Sequence, residues 1–356
     1  MTILANLSFA PTQQTGWLSY SLNLLKVLKD LDIDVLSPIE ITELKCHQSP
    51  LNITTEFGIK GHLKRLIWTQ FYLPRLYLQL KSRVLFSPIP EAPLFSSCSY
   101  IITVHDLIPL RFPQYFSAVQ KIYCSYYVAA VIQQSEHVIC NSITTAQDLS
   151  SFLGVAEDKI SPIPLAYDSK NFTFLDLPRQ NYFLYLGRHN PHKNLERLIT
   201  AFAALPNKYD YELWLAGPTD PRYTPNLKVQ VQELGITNQV RFLDYVSYNE
   251  LPKIINSAIA LVFPSLWEGF GLPVLEAMAC GTPVITSNIS SLPEVAGDAA
   301  ILINPYNPGE ITEAIQAVAN DSSLGSHLST QGIARANQFS WEKTGQATAE
   351  VLSRYL

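Results

Sequence analysis

The stretch IALVFPSLWEGFGLPVLEAMACGTPVI, residues 259–285, runs from one apolar segment through a glycine turn into another. Its first seven residues are typical of a buried strand, and Pro273 suits the first turn of a helix that follows Gly271. A further β-branched run begins at Thr282. This order predicts a strand, helix and strand of a parallel sheet.

Similar units occur on both sides of this stretch. In the first half, we predict strands at residues 2–9, 34–39, 83–88, 100–106, 137–142 and 158–168, and helices at Tyr20–Lys29, Leu63–Leu80 and Pro113–Gln134. In the second half, we predict strands at 182–188, 212–217, 240–246, 259–265, 282–288 and 299–305, and helices at Leu195–Leu205 and Gly309–Asn320. At 356 residues the chain exceeds the usual size of one hydrophobic core. The pattern predicts an α/β protein of two doubly wound, Rossmann-like domains, with the active site between them at the carboxyl ends of the strands.

Composition excludes several classes of protein. The net charge of -5 does not support a chain-wide nucleic-acid-binding role. Five scattered cysteines without a C-x-x-C pair argue against a zinc site or a disulfide framework. No run of apolar residues is long enough to span a membrane, and we expect a cytoplasmic protein.

The segment from Phe57 to Pro90 contains six cationic residues and no acidic ones. One interpretation is a helix whose aromatic residues face the core and whose cations face water. The other is an edge that contacts an anionic lipid surface or a lipid-diphosphate acceptor on the inner face of the cell membrane. The sequence leaves both open.

Phosphate-binding features lie in the second half. There is no G-x-G-x-x-G after the first strand and no P-loop, which disfavours a dinucleotide oxidoreductase and a P-loop nucleotidase. Gly269 and Gly271 instead precede a helix start, where free backbone N–H groups form an anion site that suits a diphosphate. Glu268 and Glu276 flank this site, and their carboxylates can hold sugar hydroxyls at both ends of a nucleotide-diphosphate sugar.

Two further motifs supply polar groups. In LYLGRHNPHKNLERLI, residues 184–199, a strand ends before Gly187 and is followed by Arg188 and Lys193. These cations can stabilise a leaving diphosphate without a metal. In IITVHDLIPL, His105 follows another buried strand. Asp30, Asp32 and Asp34 have D-x-D spacing, which we interpret as a polar turn rather than a metal site.

The ordered series of motifs resembles the retaining glycosyltransferases of family 4, which have the GT-B architecture. The resemblance covers Thr15–Leu25, residues 103–113, 138–149, 186–199, 263–285 and 290–305, and the closing helix. It implies an N-terminal acceptor-binding domain at 1–166 with a C-terminal helix at 340–356 that crosses back to it, a linker at 167–181, and a C-terminal donor-binding domain at 182–339.

The resemblance also implies roles for individual residues. The catalytic residues it implies are His105, Glu268, Arg188 and Lys193. The donor-binding residues it implies are Gly16, Gly187, Arg188, Lys193, Tyr245, Val246, Glu268, Gly269, Phe270, Gly271, Leu272 and Glu276. Within these sets Glu276 would hold the ribose, His105 would lie next to the transferred sugar, and the loop with Tyr245 would border the nucleobase. One departure is that Gly16-Trp17-Leu18-Ser19 replaces the usual Gly-x-Gly and cation of the first loop.

We therefore expect a retaining, metal-independent hexosyltransferase that needs no cofactor beyond its nucleotide-sugar donor. GDP-mannose is favoured as donor, with UDP-glucose next, and the acceptor would be a glycan or a lipid-linked sugar in polysaccharide or glycolipid assembly. Two alternatives are a sugar-nucleotide 2-epimerase of the same fold and a GT-B subunit that has lost activity and acts as a partner. No nucleic-acid partner is expected, and peripheral contact with an anionic membrane follows from the second interpretation of residues 57–90.

Overall fold

A computed structural model describes residues 2–11, 16–41, 44–54 and 57–356. Thr15, the first residue of the glycine turn in the family resemblance, lies outside the described residues. The chain divides into two compact units. The first comprises Met1–Leu165 and Trp341–Leu356, and the second comprises Ala166–Ser340.

The first unit contains a parallel sheet of seven strands in the order β3-β2-β1-β4-β5-β6-β7. The strands are β1 (Ile3–Asn6), β2 (Ile33–Ser37), β3 (Lys45–Gln48), β4 (Val84–Ser87), β5 (Tyr100–Val104), β6 (His137–Cys140) and β7 (Ile160–Pro162). Five of these strands are buried along their whole length, as expected for a parallel sheet covered on both faces.

The edge strand β3 was not predicted, because its sequence Lys-Cys-His-Gln is polar and lacks the β-branched residues that mark the other strands. This strand supplies the partners of Asp34, which lies inside β2, in agreement with the predicted strand at 34–39 and not with the polar turn proposed for Asp30, Asp32 and Asp34. The Asp34 carboxylate is 2.8 Å from Lys45 Nζ and 2.7 Å from His47 Nε2, both on β3. Lys45 and His47 thereby satisfy a carboxylate that would otherwise be costly to bury.

The helices of the first unit are α1 (Gly16–Val27), α2 (Gly58–Ile67), α3 (Leu73–Gln79), α4 (Ile108–Arg111), α5 (Ala118–Ile122), α6 (Ala129–Gln134) and α7 (Ile143–Leu153). Wide π-helical turns at Trp68–Tyr72 and Tyr123–Val128 join α2 to α3 and α5 to α6. The helix predicted at Pro113–Gln134 begins later, at Ala118, because Ser117 and Gln120 form a capping box there.

The second unit repeats the design with a parallel sheet of six strands in the order β10-β9-β8-β11-β12-β13. Its strands are β8 (Tyr182–Leu186), β9 (Glu212–Ala216), β10 (Val240–Leu243), β11 (Ala260–Phe263), β12 (Val284–Ser287) and β13 (Ile301–Ile303). Its helices are α8 (Leu195–Ala203), α9 (Thr224–Glu233), α10 (Leu251–Ser257), α11 (Leu272–Ala279), α12 (Leu292–Ala296), α13 (Pro308–Asn320) and α14 (Ser322–Ala336).

Strand order reverses in the second sheet at β8 and β11, which are paired centrally. In such sheets ligands bind beyond the carboxyl ends of the strands at this reversal. The segments that leave those two ends are Gly187–Asn194 and Pro264–Gly271. They carry most of the residues that the sequence implicated in donor binding.

The last helix, α15 (Trp341–Ser353), belongs to the first unit and lies against α1. Gly345 allows a close approach, since a Cβ there would lie 2.4 Å from Val27 Cγ1. Thr344 Oγ1 donates to the Pro164 carbonyl at 2.8 Å and Arg83 Nε donates to the Tyr355 carbonyl at 3.1 Å. Across the described ranges, no helix combines the length and apolar character needed to cross a bilayer.

Candidate active site

Two glycines follow neighbouring strands of the second unit at positions where no side chain fits. Gly187 follows β8 and Gly217 follows β9, and both have φ of +146°. A Cβ on Gly217 would lie 2.1 Å from the Gly187 carbonyl oxygen, and one on Gly187 would lie 2.8 Å from Tyr185 Oη. Side chains are therefore excluded at both positions, which leaves backbone exposed to a ligand.

A pocket of about 400 Å³ lies at the amino ends of β8, β9 and β10, whereas a smaller one of about 230 Å³ lies at the carboxyl ends. The smaller pocket is lined by both glycines, by the loop Asp244–Val246, and by Pro273 and Glu276 of α11. It therefore brings together four of the predicted donor-binding residues, namely Gly187, Tyr245, Val246 and Glu276. We take the smaller pocket as the candidate site because it lies at the end of the sheet where ligands bind.

Glu276 is the one carboxylic acid of α11 at this pocket. Burial, and to a smaller extent the nearby Asp168 carboxylate, together raise the pKa of its carboxyl group to about 8. Asp168 also accepts a hydrogen bond from Tyr248 Oη at 3.1 Å, and Asn171 Nδ2 donates to the Tyr248 carbonyl. Sequence reasoning did not identify Asp168 or Tyr248, since neither belongs to a recognisable motif.

Lys193 and Glu268, both predicted as catalytic, form an ion pair. Lys193 Nζ is 2.5 Å from Glu268 Oε1, and both side chains are largely buried. Lys193 Nζ also lies 5.5 Å from the ring centre of Phe263, the last residue of β11. The sequence implicated the two residues separately, and the structure joins the loop after β8 to the loop after β11 through them.

Asn194, the next residue, was missed. It has φ of +63°, and its buried side chain donates through Nδ2 to the carbonyls of Pro264 and Pro305 at 3.0 and 2.7 Å. Its Oδ1 accepts from Arg197 Nη1 at 2.9 Å. A left-handed asparagine thereby fixes the backbone that carries Lys193 to the ends of β11 and β13. The sequence signal that could have identified Asn194 is its position after Lys193 and directly before an apolar helix.

The glycine loop Gly269–Gly271 is held from below by two serines. Ser290 Oγ accepts from the Glu268 N–H at 2.9 Å, and Ser291 Oγ donates to the Glu268 and Phe270 carbonyls at 3.0 and 2.7 Å. Gly271 has φ of +117° and precedes Leu272, the first residue of α11. Pro273 has no N–H and the Val274 N–H donates to the Gly271 carbonyl at 3.0 Å, so of the first three residues of α11 only Leu272 can offer a backbone donor to an anion.

Arg188 is exposed on the loop between Gly187 and the buried His189. Its carbonyl accepts from Tyr185 Oη at 3.0 Å, which fixes the backbone. The pKa of Asp220 is lowered chiefly by its hydrogen bond with Arg222, with Arg188 among the contributing charges. The Arg188 guanidinium thus projects toward water from a fixed backbone.

His105 lies in the first unit, directly after β5. Its Nε2–H donates to the Pro88 carbonyl at 2.9 Å and its Nδ1 accepts from Asn141 Nδ2 at 2.9 Å, so the ring is the neutral Nε2 tautomer. Burial lowers its pKa to about 4. With both ring nitrogens bonded, the imidazole in this arrangement has no nitrogen left to accept a proton from a substrate.

The first loop differs from the family pattern for a structural reason. Leu18, which stands where the second glycine is common, lies on α1 with its side chain in the core. Trp17 packs against Phe9 with ring centres 5.4 Å apart. Gly16 is exposed, and a Cβ there would meet no atom within 4 Å. The described geometry therefore gives Gly16 no steric requirement for glycine.

Among the residues that the structure describes, no cluster of three or more His, Cys, Asp or Glu side chains is arranged to hold a metal ion.

Comparison with sequence families divides the chain in two. A model described as Glycosyltransferase Family 4 matches residues 20–171, and one described as Glycosyl transferases group 1 matches residues 169–335. The O-antigen chain mannosyltransferase RfbU of Salmonella typhimurium is 30% identical over 330 residues, which cover 89% of this chain and 90% of the relative. The O-antigen chain mannosyltransferase B of Escherichia coli is 30% identical over 269 residues, or 72% of this chain and 69% of the relative.

Solved structures of low sequence identity share the fold. Sucrose-phosphate synthase from Thermosynechococcus elongatus superposes with a TM-score of 0.79 at 21% identity and covers 99% of this chain and 98% of that one. The Anabaena protein HepE, solved in complex with UDP and glucose, has a TM-score of 0.77 at 18% identity, and the match covers 99% of this chain and 100% of that one. These likenesses confirm the predicted pair of Rossmann-like domains.

Proposed function

The chain belongs to the family 4 glycosyltransferases, and we propose that it transfers mannose from GDP-mannose to a glycan or lipid-linked sugar during polysaccharide assembly. The observation that carries the proposal is the pocket of about 230 Å³ at Gly187 and Gly217, with Glu276 in its wall. The mannosyl donor is supported by the two O-antigen chain mannosyltransferases at 30% identity.

The donor would lie along the carboxyl ends of β8, β9 and β11. The pocket bordered by Tyr245 and Val246 would take the base and ribose, and Glu276 would accept hydrogen bonds from the ribose hydroxyls. The start of α11 would receive the diphosphate, where the Leu272 N–H and the helix dipole favour negative charge.

As the bond between sugar and phosphate breaks, negative charge grows on the β-phosphate. Lys193 has three N–H donors and can keep its bond to Glu268 while it donates another to the phosphate. The exposed Arg188 would add a second cation, since a guanidinium matches two phosphate oxygens. Fixed donors of this kind act on the transition state more than on the ground state, and this would allow transfer without a metal.

His105 would act on the sugar through its position and not as a base. Its neutral ring is held by Pro88 and Asn141, so its contribution would be a fixed surface and a backbone carbonyl next to the transferred sugar. Retention of the anomeric configuration is part of the proposal. It would be tested by assigning the anomeric configuration of the product by NMR, and inversion would contradict it.

The first experiment is calorimetric titration of the protein with GDP-mannose, UDP-glucose, UDP-GlcNAc, GDP and UDP. We expect the guanine nucleotides to bind, and Lys193→Ala and Glu276→Ala to weaken that binding. Lys253→Ala is the matched control, because Lys253 is exposed on α10. If only uridine nucleotides bind, UDP-glucose would become the proposed donor. If no nucleotide binds, the result would favour an inactive subunit.

Transfer itself would be tested with radiolabelled donor and a lipid-linked acceptor, with and without EDTA. Full activity in EDTA is the expected result. Interconversion of the nucleotide sugar at C2 without transfer would instead indicate an epimerase.

A further inference from the structure

One helical face of the first unit exposes apolar side chains that a water-facing surface would not be expected to carry. Leu63, Ile67, Phe71 and Leu78 are 47–62% exposed. They lie on α2, the π-helical turn and α3, at spacings of four, four and seven residues, which place them on one face. We call this the 63–78 face.

Cations share the 63–78 face. Lys60 and Lys64 are exposed and lie seven residues before Ile67 and Phe71, and Arg75 is exposed four residues after Phe71. The sequence holds no Asp or Glu between residues 57 and 90. Their charge is therefore not balanced by acidic residues of the same segment.

The opposite side of this helical segment is firmly packed, so the exposed side chains are not the result of a loosely placed helix. Leu73 and Tyr77 are buried in the core of the first unit. Arg65 is buried and its Nε lies 3.0 Å from Glu91 Oε1, which fixes the segment to the loop after β4. Breaking a buried pair of this kind is costly, and the pair therefore holds the 63–78 face outward.

Adjacent segments add exposed apolar groups. Phe95 is 90% exposed and follows Leu94, whose backbone N–H donates to Gln70 Oε1 at 2.9 Å on the same helical segment. Tyr126 is also exposed, and its neighbour Tyr127 donates to the Ala92 carbonyl that Gln70 Nε2 also contacts. Exposed apolar side chains thus also occur on segments whose neighbouring residues are bonded to this helical segment.

We propose that the 63–78 face docks the protein on an anionic lipid bilayer. Contiguous exposed apolar surface marks an interaction site, and cations among apolar side chains on one helical face match a membrane interface. The lysine and arginine stems can lie along the acyl boundary while their charged ends reach lipid phosphates. This inference goes beyond the proposed function and does not depend on the identity of the donor.

The test is flotation of the full chain with vesicles of phosphatidylcholine, with and without phosphatidylglycerol, at low and high salt. We expect binding that requires phosphatidylglycerol and weakens with salt. Lys60→Glu with Lys64→Glu should lower the partition coefficient about tenfold or more, since each cation near an anionic surface contributes about 1 kcal/mol, or roughly a factor of five. Ile67→Ser with Phe71→Ser should lower it at both salt concentrations.

Tyr209→Ser with Val229→Ser is the matched control, because both are exposed apolar residues of the second unit. Thermal melts and nucleotide titration would establish that each variant is folded. The proposal is overturned if the chain does not float with anionic vesicles at low salt, or if the face variants bind as the control does. It is also overturned if Ile67→Ser with Phe71→Ser abolishes self-association in sedimentation equilibrium while lipid binding is unchanged, because the face would then be a protein interface.

Discussion

The segments after the two central strands, β1 and β8, differ although the first six strands of both sheets follow the same order. After β1, Leu7, Ser8 and Phe9 are buried, and Phe9 packs against Trp17. After β8, Gly187 at φ +146° leaves backbone exposed at a pocket. Strand order therefore provides a position for a ligand, whereas side-chain volume at the strand end decides whether that position is open.

The largest effect on activity should come from removing Lys193, the largely buried cation on the segment after β8. Lys193→Ala should lower kcat/KM by about 10²–10³, as removal of one donor to a developing charge does elsewhere. The measurement is steady-state transfer, with Lys253→Ala as the control. Near-normal activity of Lys193→Ala would mean that the segment after β8 does not take part in the transfer.

Substituting one glycine of each unit by alanine tests whether side-chain volume distinguishes the two strand ends. Gly217→Ala should destabilise the second unit by about 2 kcal/mol or more, because the new Cβ meets the Gly187 carbonyl and φ is unfavourable. Gly16→Ala should change stability little, since its Cβ meets nothing. Denaturant unfolding of each variant, followed by circular dichroism and compared with the unsubstituted protein, measures both effects. Equal costs would refute the steric argument.

Asn194 tests whether backbone position contributes to the open site. Asn194→Gly keeps the left-handed backbone and loses the amide bonds, at a cost of about 1–2 kcal/mol. Asn194→Ala should cost about 1 kcal/mol more because alanine is strained at that φ. Both should reduce kcat/KM through a misplaced Lys193. Wild-type stability of Asn194→Gly would show that the bonds to Pro264 and Pro305 contribute nothing.

A further effect is a pH dependence of stability. Glu276 has a folded pKa of about 8 against an ordinary 4.5, so the folded state keeps a proton that the unfolded state releases between these values. Its contribution to stability is complete below the unfolded pKa and is lost as pH rises through the folded pKa. Glu276→Gln should therefore flatten the decline of Tm across this window in nucleotide-free protein. Glu233→Gln, at an exposed position, is the control, and an unchanged decline in Glu276→Gln would contradict the assignment.

Much of this molecule was predictable because its signals are local. The buried strands, the glycine turn before α11 and the order of Lys193, Glu268 and Glu276 can all be recognised in short windows of sequence. The polar edge strand β3 was missed because its pairing with β2 determines it more than its own residues do.

The contacts within the site depend on residues distant in sequence. Lys193 and Glu268 are 75 residues apart, and His105 is held by Pro88 and Asn141. The neutral, fully bonded state of the His105 ring could not be inferred from its position after a strand. The roles predicted for individual donor-binding residues remain predictions that the titrations above would test.

The return of α15 to the first unit affects the order in which the protein can be completed during synthesis. Gly345 lies against Val27, so α1 lacks this neighbour until residues 341–353 have left the ribosome. The second unit, Ala166–Ser340, is contiguous and can finish folding before the first. The first unit would thus be completed after the second, the reverse of the usual N-terminal-first order, and the surface of α1 that α15 covers would be exposed in the interval.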